Sequence, residues 1–431
     1  MFVILRISPG RFSPVTEKRA LLLHPGRVLF PLGLGTALSL MGDATLYTVL
    51  PTHTVDAGIT LASVGVMLGV NRAVRLFLNG PAGLAYDRWP RRRLFIPALF
   101  VGALSTALYA VMRGFWPLLI ARMLWGLAWS GIWVGGATMI LDVTVAQDRG
   151  RWTGFYQTWF FLGAALGSLL GGALTDGVGY ASTMWIGAAL TTVGALVALA
   201  LLPETRKQTA GAHSAAHPRH SPEEATRPRL RANSDLWSAV TLQGINRFVI
   251  SGVLTATLGL LVQARLQDAD IRLGVATLTG ILMAGQTLFS MLAAPFSGVL
   301  SDRLGSRWGV VALGLAAGAV GMALLAWGVW GGILAGALLI AASKGALQSM
   351  ATTVTGDVVS SAQRGRAIGL LHTAGDLGSA IGPSAAYALL PWLDLHVIYW
   401  LCAGIFALSL GLALWIQSRK SLALPAEVQS S

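Results

Sequence analysis

The sequence predicts an all-α integral membrane protein whose twelve transmembrane helices form two pseudo-symmetric six-helix bundles. Three observations lead to this fold class. The chain is 54% hydrophobic and only 11% charged, whereas soluble domains carry about 25% charged residues. Its apolar residues fall in runs that reach the length of about 20 residues that a helix needs to cross a bilayer. Residues of the first half of the chain also recur in the second half at a constant offset in sequence.

Twelve apolar runs satisfy this length requirement. They cover residues 28–50, 60–83, 94–112, 116–141, 152–174, 180–202, 238–262, 273–299, 309–329, 331–355, 366–390 and 395–416. The first run exceeds the core of a signal peptide, which has about 7–15 residues, so we expect it to be retained as a helix. The stretch between the sixth and seventh runs is rich in Arg, His, Pro, Ala and Ser, which is typical of a polar linker.

The distribution of Lys and Arg indicates the orientation, because cytoplasmic loops are enriched in these residues. With the N-terminus in the cytoplasm, the inside segments carry 23 Lys and Arg residues and the outside segments carry 3. We therefore expect a multi-pass protein of the cell inner (plasma) membrane with both termini in the cytoplasm. The predicted parts are a tail (1–27), an N-terminal bundle (28–202), a linker (203–236), a C-terminal bundle (237–416) and a second tail (417–431).

The composition and motifs argue against several classes of function. The inside loops account for most of the net charge of +13, so a nucleic-acid partner is not expected. The single cysteine, Cys402, allows no disulfide framework and no Cys-based metal site. No phosphate-binding loop of the Gly-x-x-x-x-Gly-Lys-Ser/Thr type is present, and no nucleophile–base constellation suggests an enzyme. We expect no cofactor and no metal.

A repeat of 215 residues relates the two halves of the chain. The repeated pairs are Gly83 and Gly298, Asp87 and Asp302, Arg88 and Arg303, Asp142 and Asp357, Arg149 and Arg364, Arg151 and Arg366, and Gly167 and Gly382. A single offset across several loops and helices predicts two bundles inserted in the same orientation. Such repeats place a binding site between them, near the bilayer midplane.

The repeated loop carries a recognisable motif. It reads GLAYDRWPRRR at residues 83–93 and GVLSDRLGSR at residues 298–307. Both copies resemble the Gly-x-x-x-Asp-Arg-x-Gly-Arg-Arg signature of the major facilitator superfamily, and the resemblance covers about residues 28 to 416. The first copy departs from the signature at Pro90, where the family usually has Gly, and the second copy is looser at its basic end.

This resemblance implies that the two bundles rock around a central site and that the repeated loops act as a conformational latch. The latch residues that it assigns are Gly83, Asp87, Arg88, Asp142, Arg149, Arg151, Gly298, Asp302, Arg303, Asp357 and Arg364. The alternative is that these loops serve only membrane orientation, through their positive charge.

Two further stretches are similar to elements of proton-coupled exporters. Arg122-Met-Leu-Trp-Gly126 resembles an Arg-x-x-x-Gly element, and GAALGSLLGG at residues 163–172 resembles the antiporter element of drug exporters. Ser168 stands where that element has Pro. Small residues that pack two helices together are the alternative explanation.

Seven ionisable side chains fall inside the predicted spans, namely Asp43, Arg72, Arg75, Arg122, Arg247, Lys344 and Asp376. Each costs about 2.5–3.5 kcal/mol if it is left in lipid at the centre of the bilayer. They must therefore pair with each other or line a water-filled cavity. We predict proton-coupling roles for Asp43, Arg122 and Asp376. Depth along the helices places Asp43 level with Arg122, so we expect these two residues to pair. By the same estimate, Arg247 or Lys344 is the expected partner of Asp376. The alternative to proton coupling for Asp43 is a permanent structural ion pair.

Helix 2 breaks the symmetry of the repeat, because its Arg72 and Arg75 have no basic counterpart in the second half. Five bases against two acids predict a cavity that attracts anionic solutes. The substrate-binding candidates are Asn71, Arg72, Arg75, Arg247, Lys344 and Gln348. The alternative for the Arg residues is hydrogen bonding to backbone carbonyls or pairing with an acid. We interpret Trp125, Trp129 and Trp133 as packing residues rather than a ligand cage, with the alternative that such aromatic walls suit amphipathic solutes.

Together these features predict a monomeric secondary active transporter in the lipid bilayer. It uses protons to export a small amphipathic or anionic molecule by alternating access. The alternatives are uptake of an organic anion or metabolite, and a non-transporting assembly or lipid-handling protein on the same scaffold.

Overall fold

The computed structural model describes residues 23–145, 147–206, 234–266, 272–359 and 363–422. Within these residues the chain forms twelve long helices and no strand. The helices are α1 Pro25–Val49, α2 Leu61–Arg88, α3 Arg91–Val111, α4 Phe115–Asp142, α5 Arg149–Val178, α6 Tyr180–Leu201, α7 Ser234–Leu266, α8 Val275–Leu304, α9 Arg307–Trp327, α10 Trp330–Val358, α11 Arg364–Leu389 and α12 Leu395–Leu422. A short helix, Thr54–Ala57, lies in the α1–α2 connection.

The predicted fold class is confirmed. Eleven helices of the described part are long and apolar enough to cross a membrane. The twelfth, α11, has 26 residues, but the polar residues His372 and Asp376 lower its hydropathy. These two side chains face the cavity between the bundles rather than lipid.

Several helices are longer than the apolar runs that predict them. α3 begins at Arg91 rather than 94, and α12 continues to Leu422 rather than 416. Apolar runs mark only the part of a helix that lies in hydrocarbon, whereas the hydrogen-bonded backbone continues into the polar interface. The predicted boundaries of the tails and the linker stay predictions, because residues 1–22, 207–233 and 423–431 lie outside the described residues.

The two bundles, α1–α6 and α7–α12, touch mainly through α5 with α8 and through α2 with α11. These contacts lie in the half of the protein away from the chain ends. A Cβ added to Gly172 of α5 would lie 2.1 Å from the backbone oxygen of Ala276, and one added to Gly280 of α8 would lie 2.3 Å from that of Ser168. Only glycine permits such close approach of the two backbones.

The other half of the interface is open. We name the side that carries the N-terminal end of α1 and the C-terminal end of α12 the terminal face, and the other side the opposite face. Gly83 and Gly298 lie near the ends of α2 and α8 at the terminal face, and beyond their own helical neighbours no atom of the described residues lies within 4 Å of an added Cβ. Asp87 and Arg88 are exposed. The bundles are therefore joined at the opposite face and separated at the terminal face.

A carboxylate of one bundle caps a helix of the other bundle at the opposite face. Asp176, near the end of α5, accepts hydrogen bonds on Oδ2 from the backbone N–H and the hydroxyl of Thr277, both at 2.6 Å. Thr277 lies in the first turn of α8, where the helix dipole and the unpaired N–H groups favour a negative charge. This contact stabilises closure of the opposite face.

Replacing Asp176 with Ala is expected to favour opening at the opposite face. Losing about 1 kcal/mol of cross-bundle hydrogen bonding changes a two-state ratio about fivefold. The measurement uses Cys402→Ser as background and Ser168→Cys as a probe in the cavity, labelled in oriented vesicles with a membrane-impermeant maleimide. We expect labelling from the opposite face to rise severalfold.

Asp176→Asn is the matched control for this experiment. Its amide oxygen still accepts hydrogen bonds from Thr277 without carrying a charge, so its labelling should lie between the two others. Identical labelling in all three proteins would contradict a closing role for Asp176.

Candidate functional site

A cavity lies between the bundles at mid-depth and offers about 200 Å³ to the centres of water-sized molecules. Since one water needs about 10–15 Å³ by this measure, the space holds on the order of ten waters or a small solute. The charged side chains that line it are Asp43, Arg72, Arg75, Arg247, Lys344 and Asp376. Asn71 and Gln348 line it as well. Six of the seven intramembrane charges thus face one cavity.

The seventh charge, Arg122, lies directly behind the cavity wall and pairs with Asp43. Its Nη1 is 2.6 Å from Asp43 Oδ1, and its Nε donates a hydrogen bond to the backbone oxygen of Met67 at 2.9 Å. The Arg122 side chain is only 1% exposed, whereas that of Asp43 is 13% exposed. This pair ties α1, α2 and α4 together, and water in the cavity reaches only its acidic member.

Tyr47, one turn after Asp43, organises the two neighbouring guanidinium groups. The guanidinium carbons of Arg122 and Arg72 lie 5.2 Å and 5.6 Å from the centre of its ring, within the range of cation–π attraction. Its hydroxyl donates to the backbone oxygen of Leu68 at 2.7 Å and lies 3.2 Å from Asn71 Oδ1. Asn71 therefore contributes by holding Tyr47. The signal in the sequence is the polar stripe that Asp43 and Tyr47 share on α1.

Asp376 pairs across the bundle interface with Arg75, at 3.0 Å between Oδ1 and Nη2. We expected Arg247 or Lys344 as its partner, and that expectation was wrong. Depth along the helices could not reveal that α2 packs directly against α11. Arg75 is consequently engaged in this conformation, and Asp376–Arg75 is an ionic link between the bundles at the level of the cavity.

Three of the cations that line the cavity have no acidic partner among the described residues, namely Arg72, Arg247 and Lys344. Arg72 donates from Nε to the Tyr47 hydroxyl at 3.4 Å. The Nε atom of Arg247 is buried without a hydrogen-bond partner. The two ion pairs neutralise both acids, so the cavity keeps an excess of positive charge. Such a cavity attracts anions.

The position of Arg247 depends on an irregular helix. Residues Arg247–Leu254 of α7 form a π-helix, and the hydroxyl of Thr255 donates to the backbone oxygen of Ile250 at 2.8 Å, five residues earlier. π-Helical turns are rare and frequently occur at functional sites. Arg247, Ser251 and Thr255 all line the cavity. Nothing in the sequence pattern indicated this irregularity.

Aromatic rings form the wall of the cavity on the N-terminal bundle. Trp125, Trp129 and Trp133 stack along α4 with ring centres 6.0 Å and 5.9 Å apart, and Phe160 of α5 lies 5.3 Å from Trp133. With Phe161 these residues all line the cavity, and we name them the aromatic wall. Packing alone, our sequence-based interpretation, describes only part of their role, because Trp133 and Phe160 are partly exposed.

The predicted latch residues make contacts within their own bundles in this conformation. Asp142 accepts from Arg91 Nε at 3.1 Å, and Asp357 accepts from Arg307 Nε at 3.3 Å. Arg307 also binds Asp302. Both copies thus link the start of the third helix of a bundle to the end of the fourth.

The other basic members of the latch lie at the terminal face. Arg149, Arg151 and Arg303 are exposed there, and Arg151 lies 5.8 Å from the ring centre of Trp152. The side chain of Arg364 lies outside the described residues. A latch between the bundles therefore stays a prediction for the alternative conformation.

The Asp43–Arg122 pair predicts an asymmetric effect on stability. Asp43→Asn leaves a fully buried guanidinium without its counter-ion, and breaking a buried pair in this way costs about 3–5 kcal/mol. Arg122→Gln should cost less, because water in the cavity can hydrate the remaining carboxylate. Thermal unfolding in one detergent is the measurement, and the double variant should recover part of the loss. Greater stability of Asp43→Asn than of Arg122→Gln would contradict the pairing.

Comparison with known proteins identifies the family of this chain. The sequence model of the Major Facilitator Superfamily matches residues 32–268 and 236–429. The chain is 24% identical to "Tetracycline resistance protein, class H" of Pasteurella multocida over 90% of this chain and 95% of that protein. It is 36% identical to the "Probable 4-methylmuconolactone transporter" of Cupriavidus pinatubonensis over 27% of this chain, a segment that spans only 28% of that relative.

The fold also matches solved structures. The crystal structure of the human organic anion transporter MFSD10 superposes with a TM-score of 0.64, covering 91% of this chain and all of that chain at 19% sequence identity. At this level of identity the likeness concerns the fold.

Proposed function

Because the chain belongs to the Major Facilitator Superfamily, a family of membrane transporters, we propose that it is a secondary active transporter for a small organic anion, driven by protons. The observation that carries this proposal is the group of three cations, Arg72, Arg247 and Lys344, which line a cavity between the bundles without an acidic partner among the described residues. A cation left in lipid costs about 2.5–3.5 kcal/mol. Water or a bound anion offsets this cost.

The open and closed halves of the interface support alternating access. In this conformation the cavity is closed at the opposite face and open at the terminal face, which we predict to be cytoplasmic. In the other conformation the terminal face closes, and the repeated loops with Asp87 and Arg88 come together as the latch. The close glycine contacts between α5 and α8 must then separate.

Two carboxylates are candidates for proton coupling. Protonation of Asp43 would release Arg122 within the N-terminal bundle. Protonation of Asp376 would break its link to Arg75, which joins the two bundles. The second event acts directly on the interface that has to open, so Asp376 stands beside Asp43 as a coupling group.

Export is the direction that we favour. One relative over nearly the whole length is named for tetracycline resistance, and export is a direct way in which a membrane transporter confers resistance. The name of the muconolactone transporter, which matches a shorter segment, favours the alternative of organic-anion uptake. Excess positive charge in the cavity fits an anion in either direction.

A non-transporting role on the same scaffold is the third candidate. An assembly or lipid-handling protein should have a sealed and apolar interface between its bundles. The charges in this interface, among them Asp376, Arg75 and Lys344, fit that role poorly. They are expensive to keep in a membrane unless they bind solute or move protons.

Transport in proteoliposomes tests the proposal. A pH gradient should drive movement of anions in a panel of anionic, neutral and cationic solutes, and Lys344→Gln should reduce it. Asp43→Asn and Asp376→Asn should lose the response to the pH gradient but retain exchange of solute for solute. Arg75→Ala serves as a comparison, since it breaks the same ionic link as Asp376→Asn without removing a proton-binding group.

Two outcomes would overturn parts of this proposal. Preference for cations would defeat the argument from the positive cavity. Full response to the pH gradient in both Asn variants would exclude these carboxylates as the coupling groups.

A further inference from the structure

The 215-residue repeat sets aromatic residues of one bundle against polar residues of the other. α4 begins at Phe115 and α10 at Trp330, while α5 begins at Arg149 and α11 at Arg364, so the offset holds at the start of both helix pairs. The repeat therefore relates positions along these helices one to one. Related positions lie at equal depth on the two sides of the cavity.

Three pairs of related positions that line the cavity differ in chemistry, whereas others, such as Asn71 and Gln286, are polar in both bundles. The three pairs are Trp129 and Lys344, Trp133 and Gln348, and Phe161 and Asp376. In each pair the aromatic member belongs to the N-terminal bundle and the polar member to the C-terminal bundle. The fold itself does not require aromatic residues in one bundle and polar residues in the other, because either kind of residue could occupy these positions in both bundles. Between α4–α5 and α10–α11 the site thus has an aromatic side and a charged side, while Arg72 and Arg75 of α2 add further charge from the N-terminal bundle.

We propose that the solute is a planar aromatic carboxylate that binds across both bundles. Its ring lies against Trp133 and Phe160 of the aromatic wall, and its carboxylate lies at Lys344 and Arg247. The inference deepens the proposed function, on which it rests, by naming the class of anion.

The aromatic side favours rings over saturated groups of the same size. Trp133 and Phe160 are partly exposed and stand 5.3 Å apart at an angle of 62°, and Trp129 stacks behind Trp133. Aromatic pairs prefer offset-stacked and edge-to-face arrangements and gain beyond the burial of their area. A planar ring can meet both geometries here, one with each residue.

The charged side requires an anion. Asp376 is engaged by Arg75, so it does not neutralise the two bases. A carboxylate can accept charge-assisted hydrogen bonds from both the guanidinium of Arg247 and the ammonium of Lys344. A neutral ligand of the same shape would leave both cations without a partner.

Binding across the bundles has a consequence for transport. The ring and the carboxylate are held by different bundles, so only a solute with both ends favours their approach at the terminal face. A ligand that has only the ring or only the carboxylate contacts one bundle and does not stabilise closure.

Three matched probes separate the two ends of the ligand: 2-naphthoate, its saturated counterpart decahydro-2-naphthoate and the neutral 2-naphthamide. Affinity is measured by titration calorimetry on the full chain in lipid nanodiscs. We expect 2-naphthoate to bind about 2- to 10-fold more tightly than the saturated acid. It should bind at least about 10-fold more tightly than the amide.

Variants of the protein test which side of the cavity binds the ring and which side binds the carboxylate. Phe160→Leu should lower the affinity for 2-naphthoate about 2- to 10-fold and leave that for the saturated acid unchanged. Phe155→Leu, the same change on α5 outside the cavity lining, should alter neither. Lys344→Gln should weaken both acids about 10-fold or more without affecting the amide, whereas Lys344→Arg should retain binding.

Each contrary result has a definite meaning. Equal affinity for 2-naphthoate and its saturated counterpart would overturn the aromatic inference, while proton-driven transport of other anions would leave the proposed function standing. Equal affinity for the acid and the amide would overturn the charged side. Absence of 2-naphthoate binding together with absence of anion transport would overturn both proposals.

Discussion

The cost of a charge in the membrane is the constraint on which the rest of this structure depends. Among the described residues, two acids and five strong bases lie deep inside the spans, and each would cost about 2.5–3.5 kcal/mol in lipid. Two ion pairs, Asp43–Arg122 and Asp376–Arg75, satisfy four of them. The remaining cations, Arg72, Arg247 and Lys344, require water or an anion. These charges therefore require a polar cavity between the bundles. The same cavity is the place where a solute can bind.

The two ion pairs differ in what they connect. Asp43–Arg122 lies within one bundle and holds its helices together, with its base sealed from water. Asp376–Arg75 crosses between bundles beside the cavity. In the proposed mechanism, a proton on Asp43 acts within one bundle, whereas a proton on Asp376 acts on the interface between the bundles. The structure thus has one ion pair within a bundle and one between the bundles.

The repeat explains how one cavity acquires two kinds of wall. Equivalent helices of the two bundles face each other, so a substitution in one half alone changes one side of the site. Trp129 and Trp133 stand on the aromatic side where Lys344 and Gln348 stand on the charged side. The latch loops, in contrast, share one contact, because Asp142 and Asp357 each accept a hydrogen bond from an Arg at the start of the third helix of their bundle. Under the proposed function, the solute binds where the repeat is broken, and the predicted latch lies where the repeat is kept.

The sequence by itself determined the fold class, the helix count and the charged residues of the cavity, because bilayer thickness and the cost of charge act on each segment separately. Pairing was predicted correctly for Asp43 with Arg122, whose depths agree, but not for Asp376. Its choice of Arg75 follows from the packing of α2 against α11, which no local pattern encodes. The π-helix that presents Arg247 and the partial exposure of Trp133 and Phe160 were likewise decided only by tertiary structure, because both depend on how helices from different parts of the chain pack together.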